Sequence, residues 1–199
     1  MPPADRRDLR RRLFGLAAEQ AGYFTAAQAK EVGYSHQAQS HHVNVGNWVR
    51  IDRGLFRLAE WIPDIHDDLA RWYLWSKGRA VVSHETALSV HGIGEFESAQ
   101  VHFTVPPGFT MRENGVALHY AELPESDVDE RVGYRVTTAV RSIIDVAAHA
   151  PDEDQLARAI ADAAQAGQLT VRTLRGRAEA VDTRAALYVE RALQRIATA

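Results

Sequence analysis

The stretch from Tyr23 to Leu58 limits the fold more than any other part of the chain. It reads as a helix, a tight turn, a second helix and a two-stranded ribbon. Thr25 is a good N-cap for a helix over Ala26–Val32, because its hydroxyl can accept a first-turn amide that has no intrahelical partner. Gly33 supplies the backbone freedom that ends this helix. Ser35 is the next N-cap, and the spacing predicts a short helix over His36–Asn44, broken by Gly46 and Asn47. Trp48–Ile51 and Leu55–Leu58 then face each other across Asp52-Arg53-Gly54, a turn with glycine where positive φ is needed. Helix-turn-helix plus ribbon is the plan of a winged-helix DNA-binding domain. In that plan the second helix enters the major groove and the wing lies near the backbone.

The composition of the second helix points the same way. His36, Gln37, Gln39, Ser40, His41, His42 and Asn44 leave only Ala38, Val43 and one histidine for a core. So polar a helix suits a surface that offers amide, imidazole and hydroxyl groups to base edges. The other reading is a solvated helix in a small protein-interaction module. On the DNA reading, Ser35, His36, Gln37, Gln39, Ser40, His41 and Asn44 are the contacting residues of the turn and helix. Arg50, Arg53 and Arg57 on the ribbon suit phosphates, which give position and affinity but little sequence choice.

Charge supports this division. Residues 1–60 hold nine Lys/Arg against six Asp/Glu, whereas residues 61–199 hold 14 against 20. The basic part coincides with the winged-helix candidate, a modest electrostatic footprint for nucleic acid. The acidic remainder is not expected to wrap DNA. There is no cysteine, which excludes disulfides, thiolate nucleophiles and Cys-ligated zinc. There is no long apolar run and no signal-peptide pattern. We therefore expect a cytoplasmic protein with no membrane partner.

Two domains are expected in a chain of this length. A first helix over 5–21 presents Leu9, Leu13, Leu16 and Ala17 on one face, with Arg6, Arg7, Arg10, Arg11 and Arg12 on the others. That arginine cluster suits phosphate contact and plain solvation equally. Pro63 disfavours helix at Ile62, so the boundary is placed there: a winged-helix domain over 1–61 and a mixed α/β domain over 62–199. The second domain reads as helices near 65–76, 84–91, 138–148, 152–166 and 182–197, with a shorter one near 170–179. Short strands fall at 80–83, 101–105, 116–121 and 134–137. The fold class is α+β.

No local pattern supplies an active site. His36, His41 and His42 diverge around their helix. His84 and His91 are seven apart, whereas the zinc-protease helix needs histidines four apart; His84 is expected to cap its helix and His91 to pack at its end. Asp127, Asp129 and Glu130 read as a solvated acidic loop, and Arg141 and Asp145 as an i,i+4 ion pair. There is no nucleophile elbow, phosphate loop or dinucleotide glycine pattern. The expectation is no catalytic residue, no metal ligand, no cofactor and no enzymatic activity.

The segment GYSHQAQSHHVNVGNWVRIDRGLFRL, followed by VSHETALSVHGIG, VHFTVPP and YRVTTAVRSIIDVA, resembles the AbiEi antitoxins of bacterial abortive-infection toxin–antitoxin operons. The blocks occur in the family's order along nearly the whole chain. Gly33–Asn44 match its turn and recognition helix, and Trp48–Leu58 its wing. Ser83, His84, Leu88, His91 and Gly92 match one later block; Thr137, Thr138, Arg141 and Asp145 match another. The resemblance implies an antitoxin that represses its own promoter by binding inverted repeats in double-stranded DNA, and that opposes a co-encoded nucleotidyltransferase toxin. A winged-helix regulator whose C-terminal domain senses a small molecule is the alternative.

Overall fold

The computed structural model describes residues 5–96, 98–149 and 151–198, which form two compact units. The first unit runs to Gly78 and includes Arg131–Tyr134; the second comprises 79–130 and the residues from Arg135 onward.

The first unit begins with helix α1 (Arg6–Ala18), capped by the Asp5 carboxylate, which accepts from the Arg7 amide. Strand β1 (Tyr23–Thr25), helix α2 (Ala26–Val32) and helix α3 (His36–Asn44) follow. Strands β2 (Trp48–Asp52) and β3 (Leu55–Leu58) complete an antiparallel sheet in the order β1-β3-β2. Both helix starts are set by their caps. Thr25 and Gln28 form a reciprocal capping box, and Ser35 Oγ accepts from the Ala38 amide at 3.2 Å. Gly33 ends α2 at φ +126°, and a Cβ there would lie 2.9 Å from Leu9 Cδ2. Strand β1 is too short to carry an alternating pattern, and only its pairing with β3 makes it a strand.

One face of this sheet meets the helices. Cross-strand partners share a face, so Trp48 and Leu58 point the same way, as do Arg50 and Phe56. Leu13, Ala17, Phe24, Val32, Tyr34, Trp48 and Phe56 are buried together there. The other face carries Tyr23, Arg57 and Val49. Helix α4 (Asp68–Trp75) extends the unit beyond residue 61: Ala70 is buried with Ala21 and Tyr23, and Leu74 and Ile51 pack against them. Helix α4 starts at Asp68 rather than near 65, because the Asp67 carboxylate holds a turn. It accepts from Trp61 Nε1 at 2.7 Å and from the Asp64 amide at 3.0 Å.

Strands β4 (Val81–Val82), β5 (Val101–Val105), β6 (Val116–Tyr120), β7 (Val128–Arg131) and β8 (Tyr134–Thr137) form a mixed sheet ordered β6-β5-β4-β8-β7, which belongs to the second unit except for Arg131 and Tyr134. Strand β4 pairs antiparallel with β5 and parallel with β8, and β5 pairs parallel with β6. Helix α5 (His84–His91) follows β4, and α6 (Ala139–Ala148) follows β8. Helices α7 (Glu153–Gln165), α8 (Val171–Val181) and α9 (Thr183–Thr198) pack with α6 through Ile143, Ile144, Leu156, Ile160, Leu174 and Val189. Among the described residues no helix is long and apolar enough to cross a membrane.

Candidate nucleic-acid interface

The turn between α2 and α3 is held from within. The Gln39 side-chain amide donates to the backbone carbonyls of Ala26, at 3.1 Å, and Tyr34, at 3.2 Å. Gln39 is 3% exposed. This corrects its assignment as a base-contacting residue: two carbonyls of the turn claim the amide, and a buried amide is stable only when so partnered.

With Gln39 turned inward, the outer face of α3 is cleanly defined. His36, Gln37, Ser40, His41 and Asn44 are all exposed, and Ser35 is exposed at the start of the helix. These helical positions recur at the spacing that keeps side chains on one face. His42 points the other way. Its ring stacks on Trp48 at 4.8 Å, with 15° between the planes, and Asn47 Nδ2 lies 3.1 Å from its Nδ1. The amide can donate there, making Nδ1 the acceptor. Burial, and then the neighbouring His41, hold His42 below the ordinary histidine pKa. Trp48 also meets Phe24 and Tyr34 edge-on. This aromatic cluster fixes α3 against the sheet and so sets the direction of its outer face.

The ribbon tip is tied to the same scaffold. The Ala26 amide donates to the Gly54 carbonyl at 2.8 Å, joining the start of α2 to the β2–β3 turn. A groove of about 300 Å³ runs between α3 and the ribbon, lined by His36, Ser40, Arg50, Arg53 and Phe56 among others. Arg50 lies over the Phe56 ring at 5.5 Å. Arg50 and Arg53 are exposed and flank the polar face of α3.

Arg57 stands apart from the other two ribbon arginines. It sits on the opposite sheet face from Arg50, half-buried, with its guanidinium carbon 5.8 Å from the centre of the Tyr23 ring. Strand alternation decides this: Arg57 is cross-strand from Val49 and Tyr23, not from Arg50. On the far side of α3, Arg6, Arg7 and Arg10 line a wider groove of about 880 Å³, with His41, Tyr34 and Trp48 in its wall.

The second unit departs from its sequence reading at two polar positions, Asp127 and His84. Asp127 does not lie in a solvated loop; it is 4% exposed. Its carboxylate accepts from Arg141 Nη1 at 3.0 Å and also pairs with Arg177. The Arg141–Asp145 pair on α6 is present at 2.7 Å, so the network runs through four charged groups. Burial pushes the Asp145 carboxyl up to about 6 against the pull of Arg141. His84 does not cap α5; it is buried at φ +54°, with Nδ1 2.9 Å from Ser83 Oγ. His91 Nε2 donates to the Thr137 carbonyl at 2.7 Å. Ring stacking joins His84 to His119 at 3.5 Å, with His102 and His149 beside them. Burial and the neighbouring imidazoles push His84 down to about 2 and His119 to about 4. Nothing in local spacing announces this cluster, because its members come from different elements.

Residues 11–59 match the family model described as transcriptional regulator, AbiEi antitoxin. Over this segment the chain is AbiEi-like. The matched span covers most of α1, the capped α2–α3 pair and the whole ribbon, which is the region just described. The crystal structure of the RV2827C protein from Mycobacterium tuberculosis is similar in fold, with a TM-score of 0.59 over 96% of this chain and 80% of that one, at 14% identity. A comparison with curated proteins finds no match. The AbiEi-like segment thus contains α3 and the ribbon, and the likeness to RV2827C concerns the fold of nearly the whole chain.

Proposed function

We propose that this protein is a DNA-binding transcriptional regulator and antitoxin, not an enzyme, and that its first unit is a winged helix-turn-helix. The observation that carries the reading is the pairing of two surfaces: the exposed face of α3, built from His36, Gln37, Ser40, His41 and Asn44, and the adjacent Arg50 and Arg53. The first surface offers hydrogen-bonding groups to base edges in the major groove; the second offers guanidinium groups to phosphates. Ser35 and the start of α3 approach the duplex first, as the N-terminal end of a recognition helix does. Inverted repeats in the protein's own promoter are the proposed target, and a co-encoded nucleotidyltransferase toxin is the proposed counterpart of the second unit. The AbiEi match over residues 11–59 supports both proposals.

A nuclease footprint over the DNA upstream of the gene tests the first proposal. Protection of a repeated sequence at low protein concentration is expected, with loss of protection when Gln37 and Asn44 are both replaced by alanine. Absence of any protected site would remove the repressor reading. For the second, co-expression with the neighbouring toxin gene should restore growth. Continued toxicity at matched expression would remove the antitoxin reading.

A further inference from the structure

The second unit gathers four histidines where strand β6 lies at the sheet edge. His84 is the first residue of α5, His119 is on β6, His149 caps the C-terminus of α6, and His102 is on β5. We propose that His84, His119 and His149 bind one transition-metal ion of the borderline class, Zn²⁺ foremost, through three imidazole nitrogens.

Distance comes first. One ligand nitrogen from each of the three histidines lies within 4.8 Å of the other two. Zinc binds histidine nitrogen at about 2.0–2.1 Å in a tetrahedron, which places ligand nitrogens about 3.4 Å apart. Turning the half-buried His119 ring out of its stack on His84 closes the difference.

Orientation comes next. His149 Nδ1 donates to the Asp145 carbonyl at 2.9 Å, which fixes the tautomer and leaves Nε2 with its lone pair outward. His84 Nδ1 is matched with Ser83 Oγ in the same way. Metal-bound histidines are held by such outer partners on the second nitrogen. His119 has a neighbour on one ring nitrogen, which leaves the other for the ion. His102 Nδ1 is 3.1 Å from His119 Nε2 and 3.2 Å from a Glu85 carboxylate oxygen. The nearby Arg141 guanidinium is taken up by Asp127 and Asp145, which tempers its repulsion of a cation.

The surroundings fit binding better than packing. Filling this place with imidazoles costs more in desolvation than apolar side chains would, and ion binding turns one ring out of the stack that His84 and His119 make at 3.5 Å so that both lone pairs converge. His84 also holds φ +54°, uncommon for a residue other than glycine, and this conformation accompanies the ring's place in the cluster. His84 is buried, His119 half-buried and His149 exposed, so the cluster has an open side. Three nitrogen donors suit zinc, nickel, cobalt or copper ions, not Mg²⁺ or Ca²⁺, which take oxygen. Three protein ligands leave a fourth position for water or a small anion.

The test uses the full, tag-free chain after treatment with EDTA and removal of the chelator. Titration with Co²⁺ should give visible absorption bands of a tetrahedral site that saturate at one ion per chain. One equivalent of Zn²⁺ should abolish them, and Mg²⁺ should not. The melting temperature should rise with Zn²⁺. His149→Ala and His119→Gln, both at accessible positions, should each weaken Zn²⁺ binding at least about tenfold while leaving the circular dichroism unchanged. The doubly substituted His36→Ala, His41→Ala chain should bind as the wild type does. Failure of the wild type to take up one ion at micromolar Zn²⁺ would overturn the proposal. So would wild-type affinity in both second-unit variants.

Discussion

The Gln39 side-chain amide lies 3.2 Å from the backbone carbonyl of Tyr34, so the residue at the centre of the polar helix α3 is a strut of the turn and not a reader of bases. It bonds the Ala26 carbonyl as well, joining the start of α2 to the turn before α3. Replacing it with alanine leaves the buried Tyr34 carbonyl and the half-buried Ala26 carbonyl without that donor, and an unsatisfied buried group costs about 1–3 kcal/mol. Gln39→Ala is therefore expected to lower the stability of the chain in urea titrations by an amount in that range. Gln37→Ala, on the exposed face, should leave the midpoint unchanged. Equal stability of the two variants would show that the turn does not depend on Gln39.

The exposed face and the ribbon arginines should separate by their effects on DNA. Gln37→Ala is expected to cost about 1–3 kcal/mol at one base position and to relax specificity there. Arg53→Ala should weaken binding to every sequence alike and flatten the salt dependence by about one counterion. Arg57→Ala should change DNA binding least of the three ribbon arginines, because its guanidinium lies over Tyr23 on the other sheet face. A salt slope that falls more for Arg57→Ala than for Arg53→Ala would sink this arrangement.

How much of this was legible depends on where each residue finds its partner. Helices α2 and α3 were bounded correctly because Thr25, Gly33 and Ser35 act on backbone groups within four residues of themselves. The ribbon was legible for a similar reason, in the turn Asp52-Arg53-Gly54. Gln39 was not, since composition marks it as polar but only the fold shows which carbonyls it meets. The same limit hid Asp127, whose partners Arg141 and Arg177 come from later helices. It also hid the histidine cluster: spacing rules search for ligands on one element, and His84, His119 and His149 lie on a helix start, a strand and a helix end. The i,i+4 pair Arg141–Asp145 was readable because helical geometry alone brings it together.

The ion network in the second unit is expected to matter more than ion pairs on its surface. Arg141 is 9% exposed and pairs with two carboxylates that are buried as deeply. Arg141→Met removes the charge and leaves Asp145 without its counterion, a loss that costs about 3–5 kcal/mol in buried pairs. Arg175→Met removes an exposed partner of Glu190 and should be indistinguishable from wild type in the same melts. Arg141→Met combined with Asp145→Leu should recover part of the loss. A double variant no better than the single one would show that packing, and not the stranded carboxylate, sets the cost.

His42 gives the first unit a pH dependence whose sign can be worked out. Burial and His41 hold its folded pKa below the ordinary 6.5. The unfolded chain therefore binds the proton first as pH falls. Below about 6.5 the unfolded state gains relative to the folded one, until the folded pKa is passed. The full chain should lose stability from pH 7 toward pH 5, and His42→Gln should make that decline shallower while lowering the plateau through loss of the Trp48 stack. Parallel pH profiles for the two chains would exclude a role for His42.

The extent of the first unit sets the last prediction. A sequence boundary at residue 61 would leave α4 with the second domain, yet Ala70 is fully buried with Ala21 and Tyr23, and Leu74 packs against them with Ile51. Cutting after residue 61 would uncover that face of the sheet, and apolar area returned to water costs about 25 cal/mol per Å². A fragment of residues 1–78 is expected to melt cooperatively and at a higher temperature than residues 1–61, and to bind the operator more tightly at equal salt. Both fragments keep α3 and the ribbon, so any difference in binding must come from the stability of the scaffold. If residues 1–61 melted at the same temperature as residues 1–78, α4 would be a passenger on the unit and the boundary near residue 61 would stand.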